Sequence, residues 1–215
     1  MSPAPSRQKL KTACDQVAAT DPALARAYEV IGVPVWRAHA PSYALLGRLI
    51  SHQQISLSAA AAIWGRVEDF LGDVTAGNML DADPEAIRAC GMSRPKVAHL
   101  MSIAEAMVSG QLDLERVCAA PLDEARRELL AVRGIGPWTA ELFLLYAVGA
   151  MDAFPTADIG LMEAHKRLGT YDTRMETRAF TAHAERWRPC RGVAAHLLWG
   201  WLHVDRARGA APGGG

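Results

Sequence analysis

The chain has 215 residues, half of them hydrophobic, with 23 basic and 23 acidic side chains that cancel to zero formal charge. That length supports one or two modest domains with a real core. The balanced charge excludes a protein that coats nucleic acid by bulk electrostatics, and leaves a local patch open. No apolar run is long and uncharged enough to span a bilayer, and "MSPAPSRQKLKTACDQV" lacks the apolar stretch of a secretory signal. A cytoplasmic protein with no membrane partner is expected. Cys14, Cys90, Cys118 and Cys190 are far apart with no CxxC pair, so their spacing supports neither zinc nor an iron–sulfur cluster. Free thiols in a reducing compartment are the expectation.

In chain order, Ser, Pro and Ala fill residues 2–6 and "GAAPGGG" closes the chain. Disordered tails are expected over 1–8 and 207–215, flanking one helical domain over 9–206. Ser42 can cap a helix carrying Leu45, Leu46, Leu49 and Ile50, which "SHQQIS" interrupts. A second helix puts Ile63, Val67, Phe70 and Leu71 on one face. Asp83-Pro84-Glu85 is a helix start and Gly91 its stop. Val97, Leu100, Met101, Ala104, Met107 and Val108 form a stripe that ends at Gly110. Ala125, Leu129 and Leu130 mark a short helix, and Ala140, Phe143, Leu144, Ala147 and Val148 the next. Further helices fit 158–168, 177–188 and 191–203. No run alternates as a strand would, so the class is all-α, with two helical lobes around a cleft.

Three helices carry a residue on the side its type does not suit. At about 100° per residue, Trp138 falls opposite the Ala140/Phe143/Leu144 face. Trp199 falls opposite Val193, Ala194, Leu197, Leu198 and Trp201, beside His196 and His203. Helices packed on both sides would also explain these tryptophans. Asp158 is the reverse case, a carboxylate in line with Leu161, Met162 and His165. It could simply cap a helix after Pro155 and Thr156. A carboxylate at a helix start facing dry surroundings is also what catalysis would use, since the helix dipole favours the charge while burial opposes it.

Between two helical patterns, "AVRGIGPWTAELFLL" places Gly134 and Gly136 two residues apart. Glycine admits left-handed backbone and lets a ligand approach the main chain. The stretch therefore reads as helix, tight turn, helix. Amides at the second helix start suit a phosphate, and Pro137 fits the first helical turn. An ordinary αα-hairpin remains the plainer alternative.

"LLAVRGIGPWTAELFLL" resembles the helix–hairpin–helix element of the base-excision DNA glycosylases, whose hairpin is followed by a Gly/Pro-rich loop and a catalytic Asp. "AFPTADIGLMEAHKRL" falls where that loop and Asp belong, so the resemblance makes Asp158 the catalytic aspartate. "FTAHAERWRPCRGVAAHLLWGWL" resembles the terminal helices of the alkylpurine branch, the 3-methyladenine DNA glycosylase II family. "RLISHQQISLSAAAAIW" resembles that branch's segment carrying the residue that wedges into DNA. The four segments run in order over about residues 30–205. Where bifunctional members keep a lysine that attacks the sugar, this chain has Trp138, which removes the amine that a lyase needs.

The resemblance implies a base pocket of Trp138, Trp199, Leu142 and Ile159. Leu142 and Ile159 stand where the best-known bacterial alkylpurine enzyme has tyrosines, and Cys190 replaces another aromatic, so a more aliphatic pocket is expected. It implies a wedge at Gln54 with Gln53 and Ile55 beside it, and His52 as support. It implies DNA-backbone contacts by Arg133, Gly134, Gly136 and Thr139, with Arg94, Lys96 and Arg191 as further candidates. No cofactor is required. The carbonyls of Leu130, Val132 and Ile135 are implied to hold a structural Na+ or K+.

The implied activity is a monofunctional, hydrolytic release of alkylated purines from double-stranded DNA in base excision repair. The enzyme would be a monomer on a bacterial nucleoid. The target base must be flipped out of the stack. A cationic alkylpurine would be attracted to a tryptophan face by roughly 0.5–2 kcal/mol, and a carboxylate can stabilise the oxocarbenium-like sugar or deprotonate water. A glycosylase for deaminated or oxidised bases, a non-enzymatic hairpin DNA-binding module and a helical interaction protein are the alternatives.

Overall fold

Capping residues punctuate the chain into thirteen α-helices in a computed structural model that describes residues 4–210. These are α1 (Arg7–Thr20), α2 (Pro22–Ile31), α3 (Tyr43–Ser51), α4 (Leu57–Leu71), α5 (Ala76–Asp81), α6 (Pro84–Ala89) and α7 (Arg94–Val108). They continue as α8 (Leu114–Ala119), α9 (Leu122–Leu130), α10 (Pro137–Phe143), α11 (Ile159–Gly169), α12 (Thr177–Ala184) and α13 (Arg191–Ala210). A π-helical turn, Leu144–Val148, extends α10, and a 3-10 turn, Glu185–Trp187, follows α12. No strand occurs among the described residues, as the periodicity predicts. Side-chain oxygens of Ser42, Asp83 and Asp158 accept from the amides of Leu45, Glu85 and Leu161, which stops each helix from leaving all its first N–H groups orphaned.

The helical pattern extends past the expected ends. Ser6 caps α1, so residues 7 and 8 are helical, and α13 carries helix through residue 210. The rest of the tails expected over 1–8 and 207–215 includes residues 1–3 and 211–215, which lie outside the described residues. The described residues divide into two units. One is His39–Val148, and the other combines residues 4–38 with residues 149–210.

In the first unit α7 packs against α3 and α5, and α10 against α3 and α9. The face of α4 differs from the expected one. Ala60, Trp64 and Val67 are buried, whereas Phe70 is half exposed. The cause is Gly47 on α3, where a Cβ would overlap the Trp64 ring, so the bare backbone admits the indole and sets the rotation of α4. The α7 stripe also shifts, with Ile103 and Ala106 buried and Val108 exposed.

In the second unit α13 packs on α1, α2 and α11. It is buried on all sides from Arg191 to Leu198, so two-sided packing holds there. One carboxylate ties this unit together. Asp21 caps α2 by accepting the Ala23 amide on Oδ1 at 2.9 Å. Its Oδ2 meets His165 Nε2 of α11 at 3.3 Å and His183 Nε2 of α12 at 2.7 Å, and accepts the Trp187 indole N–H at 3.0 Å. Burial alone would push the Asp21 carboxyl upward. The hydrogen bonds from His165 and His183 and the Ala23 amide outweigh it and hold the group well below the usual carboxylate range. All four cysteines are free, and burial pushes the Cys14 thiol up to about 12, which leaves it an inert core group.

Because the folded state depresses the Asp21 pKa, its stabilisation is full above the ordinary value of 3.8 and fades as pH falls further. Asp21→Asn should cost on the order of 3 kcal/mol at pH 7, since it leaves three donors, two of them buried, around a neutral amide. Urea unfolding of both forms at pH 7 and pH 3 checks this: the gap should narrow at pH 3, and an equal gap at both values would refute the charge argument.

Candidate active site

Asp158 is the N-cap of α11, as the plainer sequence reading has it, and it does more than cap. Its Oδ1 accepts the Leu161 amide at 2.9 Å and the Trp199 indole N–H at 3.2 Å. Two donors on one oxygen fix the carboxylate's rotation. Gly160 makes the arrangement possible, because a Cβ there would lie 3.0 Å from Asp158 Oδ1, 3.5 Å from Leu202 and 3.8 Å from the Trp199 ring. No sequence signal singled out Gly160, whose backbone angles are ordinary. Its role exists only once α13 is laid beside α11.

Behind Trp199 lies a neutral aromatic layer. Trp199 meets His196 edge-on at 6.0 Å, and Trp36 stacks on His196 at 4.3 Å with planes 16° apart. His196 Nδ1 donates to the Gly192 carbonyl at 2.8 Å, and its Nε2 accepts the Arg37 amide N–H at 3.3 Å. Those two bonds define the neutral tautomer. Burial pushes the imidazole pKa down to about 4, against the Gly192 hydrogen bond and with the Arg37 charge. The Asp158 end of this unit therefore borders a ring system that stays uncharged at neutral pH.

The hairpin lies in the first unit. The Val132 carbonyl accepts the Ile135 amide at 3.1 Å to close the turn, with both side chains buried. Gly134 has φ +100°, and a Cβ there would meet His99 of α7 at 2.7 Å, so conformation and space both demand glycine. Gly136 differs. Its φ is −85°, and a Cβ would meet nothing within 4 Å. An Arg126–Glu141 ion pair joins α9 to α10. Trp138 is half-buried in the first turn of α10, Leu142 is buried one turn on, and Leu130 and Arg133 face solvent. Trp138 and Leu142 thus belong to the first unit, and Asp158, Trp199 and Ile159 to the second.

Burial and bonding locate five of the expected contacts. Ile159 is 63% exposed at the start of α11. Thr139 is fully buried, and its Oγ1 accepts the Gln53 side-chain amide at 2.9 Å. It is therefore a poor DNA-backbone contact, and Gln53 is an internal support instead of a wedge. Arg191 is buried, clamped by Asp152 and Glu185. Lys96 donates to the Ser51 and Gln53 carbonyls at 2.8 Å each, so its charge is turned inward. Gln54 and Ile55 are exposed, Gln54 with φ +58°, and His52 Nδ1 bonds the Arg48 carbonyl as a loop support.

Among the described residues one His/Asp cluster has the spacing to hold a metal ion, namely Asp21, His165 and His183, with donor atoms within 4.8 Å of one another. Asp21 Oδ2 already has the two imidazole nitrogens and the Trp187 N–H around it. Hydrogen bonding accounts for that convergence without a metal.

The hairpin, the loop after it and a capping Asp at the next helix form one ordered set. A family model described as "HhH-GPD superfamily base excision DNA repair protein" matches residues 48–189. The chain belongs to the HhH-GPD superfamily. Among relatives, DNA-3-methyladenine glycosylase 1 of Schizosaccharomyces pombe is 33% identical over 167 residues, covering 73% of this chain and 71% of that protein. The "Probable bifunctional transcriptional activator/DNA repair enzyme AlkA" of Mycobacterium tuberculosis is 45% identical over 96 residues, covering 44% of this chain. The match spans only 19% of that longer protein. The solved S. pombe 3-methyladenine DNA glycosylase Mag1, in complex with abasic DNA, superposes with a TM-score of 0.79 at 28% identity, over 87% of this chain and 95% of that one. The HhH-GPD match includes both Trp138 and Asp158.

His196 gives a pH signature for the site's unit. Its folded pKa, about 4, lies below the ordinary 6.5, so its contribution to stability is full above pH 6.5 and is lost as pH falls toward 4. Melting temperature measured from pH 7 to pH 4 should fall for the wild type and flatten in His196→Gln. A parallel decline in both proteins would assign the acid sensitivity elsewhere.

Proposed function

We propose that the chain is a monofunctional DNA glycosylase that hydrolyses the N-glycosidic bond of alkylated purines of the 3-methyladenine type in double-stranded DNA, as a step of base excision repair. What carries the reading is Asp158, a carboxylate oriented by two donors at a helix start, in a chain with Trp138 where a lyase would need an amine. The names of the relatives in S. pombe and M. tuberculosis support the substrate class.

The target nucleotide is turned out of the duplex. The electron-rich face of a tryptophan, Trp138 in the first unit or Trp199 in the second, suits a base that alkylation has made cationic. As the C1′–N bond breaks, positive charge develops on the sugar. The Asp158 carboxylate stabilises that charge, or orients a water and takes its proton as the water's oxygen bonds to C1′. With the Leu161 and Trp199 N–H groups already fixing Oδ1, little reorganisation accompanies the step. Trp138 supplies no amine for a Schiff base, so the reaction ends at an abasic site and free base.

Backbone amides at Gly134 and Gly136 are the proposed phosphate contacts, with Arg133 exposed beside them. The same reading gives the Leu130, Val132 and Ile135 carbonyls to a structural Na+ or K+. They are oxygen donors of the type a hard cation takes, and Val132 keeps one lone pair after accepting the Ile135 amide. It makes the protein a monomer acting on the bacterial nucleoid.

The decisive assay follows free base released from methylated, deaminated and oxidised duplexes, with and without a subsequent alkali step. Release from methylated duplex alone, with strand breaks only after alkali, is expected. Release confined to the other two lesions, or strand cleavage without alkali, overturns the reading. Asp158→Asn should lower the excision rate by roughly a thousandfold with duplex binding retained. Gly160→Ala should lower kcat about tenfold with little change in KM, because its Cβ presses on Asp158 Oδ1 and a misplaced carboxylate loses orientation.

A further inference from the structure

The loop between α3 and α4 holds a conformation that its own residues do not favour. Gln54 sits at φ +58°, in the left-handed region where a side chain other than glycine or asparagine is strained. Such a residue persists only where its surroundings over-determine it, and the residue before it is fixed at three points. The Gln53 amide N–H donates to the Ile50 carbonyl at 3.3 Å. Its side-chain Nε2 donates to the buried Thr139 Oγ1 at 2.9 Å. Its carbonyl accepts from Lys96 Nζ at 2.8 Å.

Lys96 does a second thing with the same ammonium. It donates at 2.8 Å to the carbonyl of Ser51, the last residue of α3, where the helix leaves acceptors unpaired and its dipole favours a cation. One charged group from the first turn of α7 thus bonds the end of α3 and the peptide joining Gln53 to Gln54. Burial lowers the Lys96 pKa, consistent with an ammonium withdrawn from solvent to serve the loop. Beyond this anchored base, Gln54, Ile55 and Leu57 are exposed, Leu57 at 71%.

We propose that Lys96 is a positioning residue for base extrusion: it holds the 51–56 loop preformed, so that Gln54 and Ile55 can enter a duplex without first being ordered. This rests on the proposed glycosylase activity. Preorganisation of this kind saves the ordering cost at the moment of binding, and it acts on opening the helix, not on bond cleavage.

The test compares wild type with Lys96→Met in single-turnover release of a methylated purine from two duplexes. In one the lesion is paired; in the other it faces an abasic site and has no partner to displace. Lys96→Met should lose roughly tenfold on the paired lesion, a barrier change of about 1.4 kcal/mol, and much less on the unpaired one. Lys96→Arg, which keeps a cation with two donors, should restore part of the rate. Amide hydrogen exchange at residues 53–55 should quicken in Lys96→Met whether or not DNA is present. Equal losses on both duplexes, no loss on either, or unchanged exchange would each overturn the proposal. Should Lys96→Met fail to fold, Thr139→Val, which cuts the tie to Gln53, must show the same selective loss and faster exchange. If the wild type releases no base from either duplex, the glycosylase reading fails, and the exchange measurement still decides whether Lys96 holds the loop.

Discussion

A single carboxylate oxygen sets the geometry of the second unit. Asp21 Oδ2 gathers an imidazole from α11, an imidazole from α12 and an indole N–H from the turn that follows, while Oδ1 caps α2. His165 lies seven residues after Asp158, two helical turns along nearly the same face. The bond that fixes His165 therefore fixes the rotation of α11 about its axis, and with it the direction in which Asp158 projects. Charge buried in the core is costly unless it is fully bonded. Here four contacts satisfy it, and the site's carboxylate takes its bearing from that arrangement.

The two carboxylates illustrate how one residue type is put to opposite uses. Asp21 is buried and enclosed by donors, and it holds elements in place. Asp158 is partly open to solvent at a helix start, where its Oδ1 accepts from Leu161 and Trp199. The ring layer behind Trp199 carries no charge, since His196 is neutral near pH 7. A neutral layer adds no positive charge of its own against a cation developing near a carboxylate.

Much of this was legible in the sequence where the signal is local. The caps at Ser42, Asp83 and Asp158, the stops at Gly91 and Gly110, and the glycine turn before Pro137 each follow from a few adjacent residues. The family resemblance reached Asp158 and Trp138 by the same local route. Faces and partners were less legible, because they depend on residues far apart in the chain. The rotation of α4 follows from the missing side chain at Gly47. Lys96, Thr139 and Arg191 are polar in sequence, yet each bonds to a partner 39 to 86 positions away. The six-residue helices α5 and α8 are too short for a period to show.

The two hairpin glycines answer to different selective pressures. Substituting Gly134 collides with His99 and forces a left-handed backbone, so a screen for folded protein would already reject most replacements there. Gly136 offers an ordinary φ and open space. A population of variants sorted only for solubility and melting temperature should accept many residues at 136, whereas, on the proposed phosphate contact, sorting for repair would narrow it again. Comparing the two tolerances, position by position, separates what the polypeptide requires of itself from what its substrate requires of it.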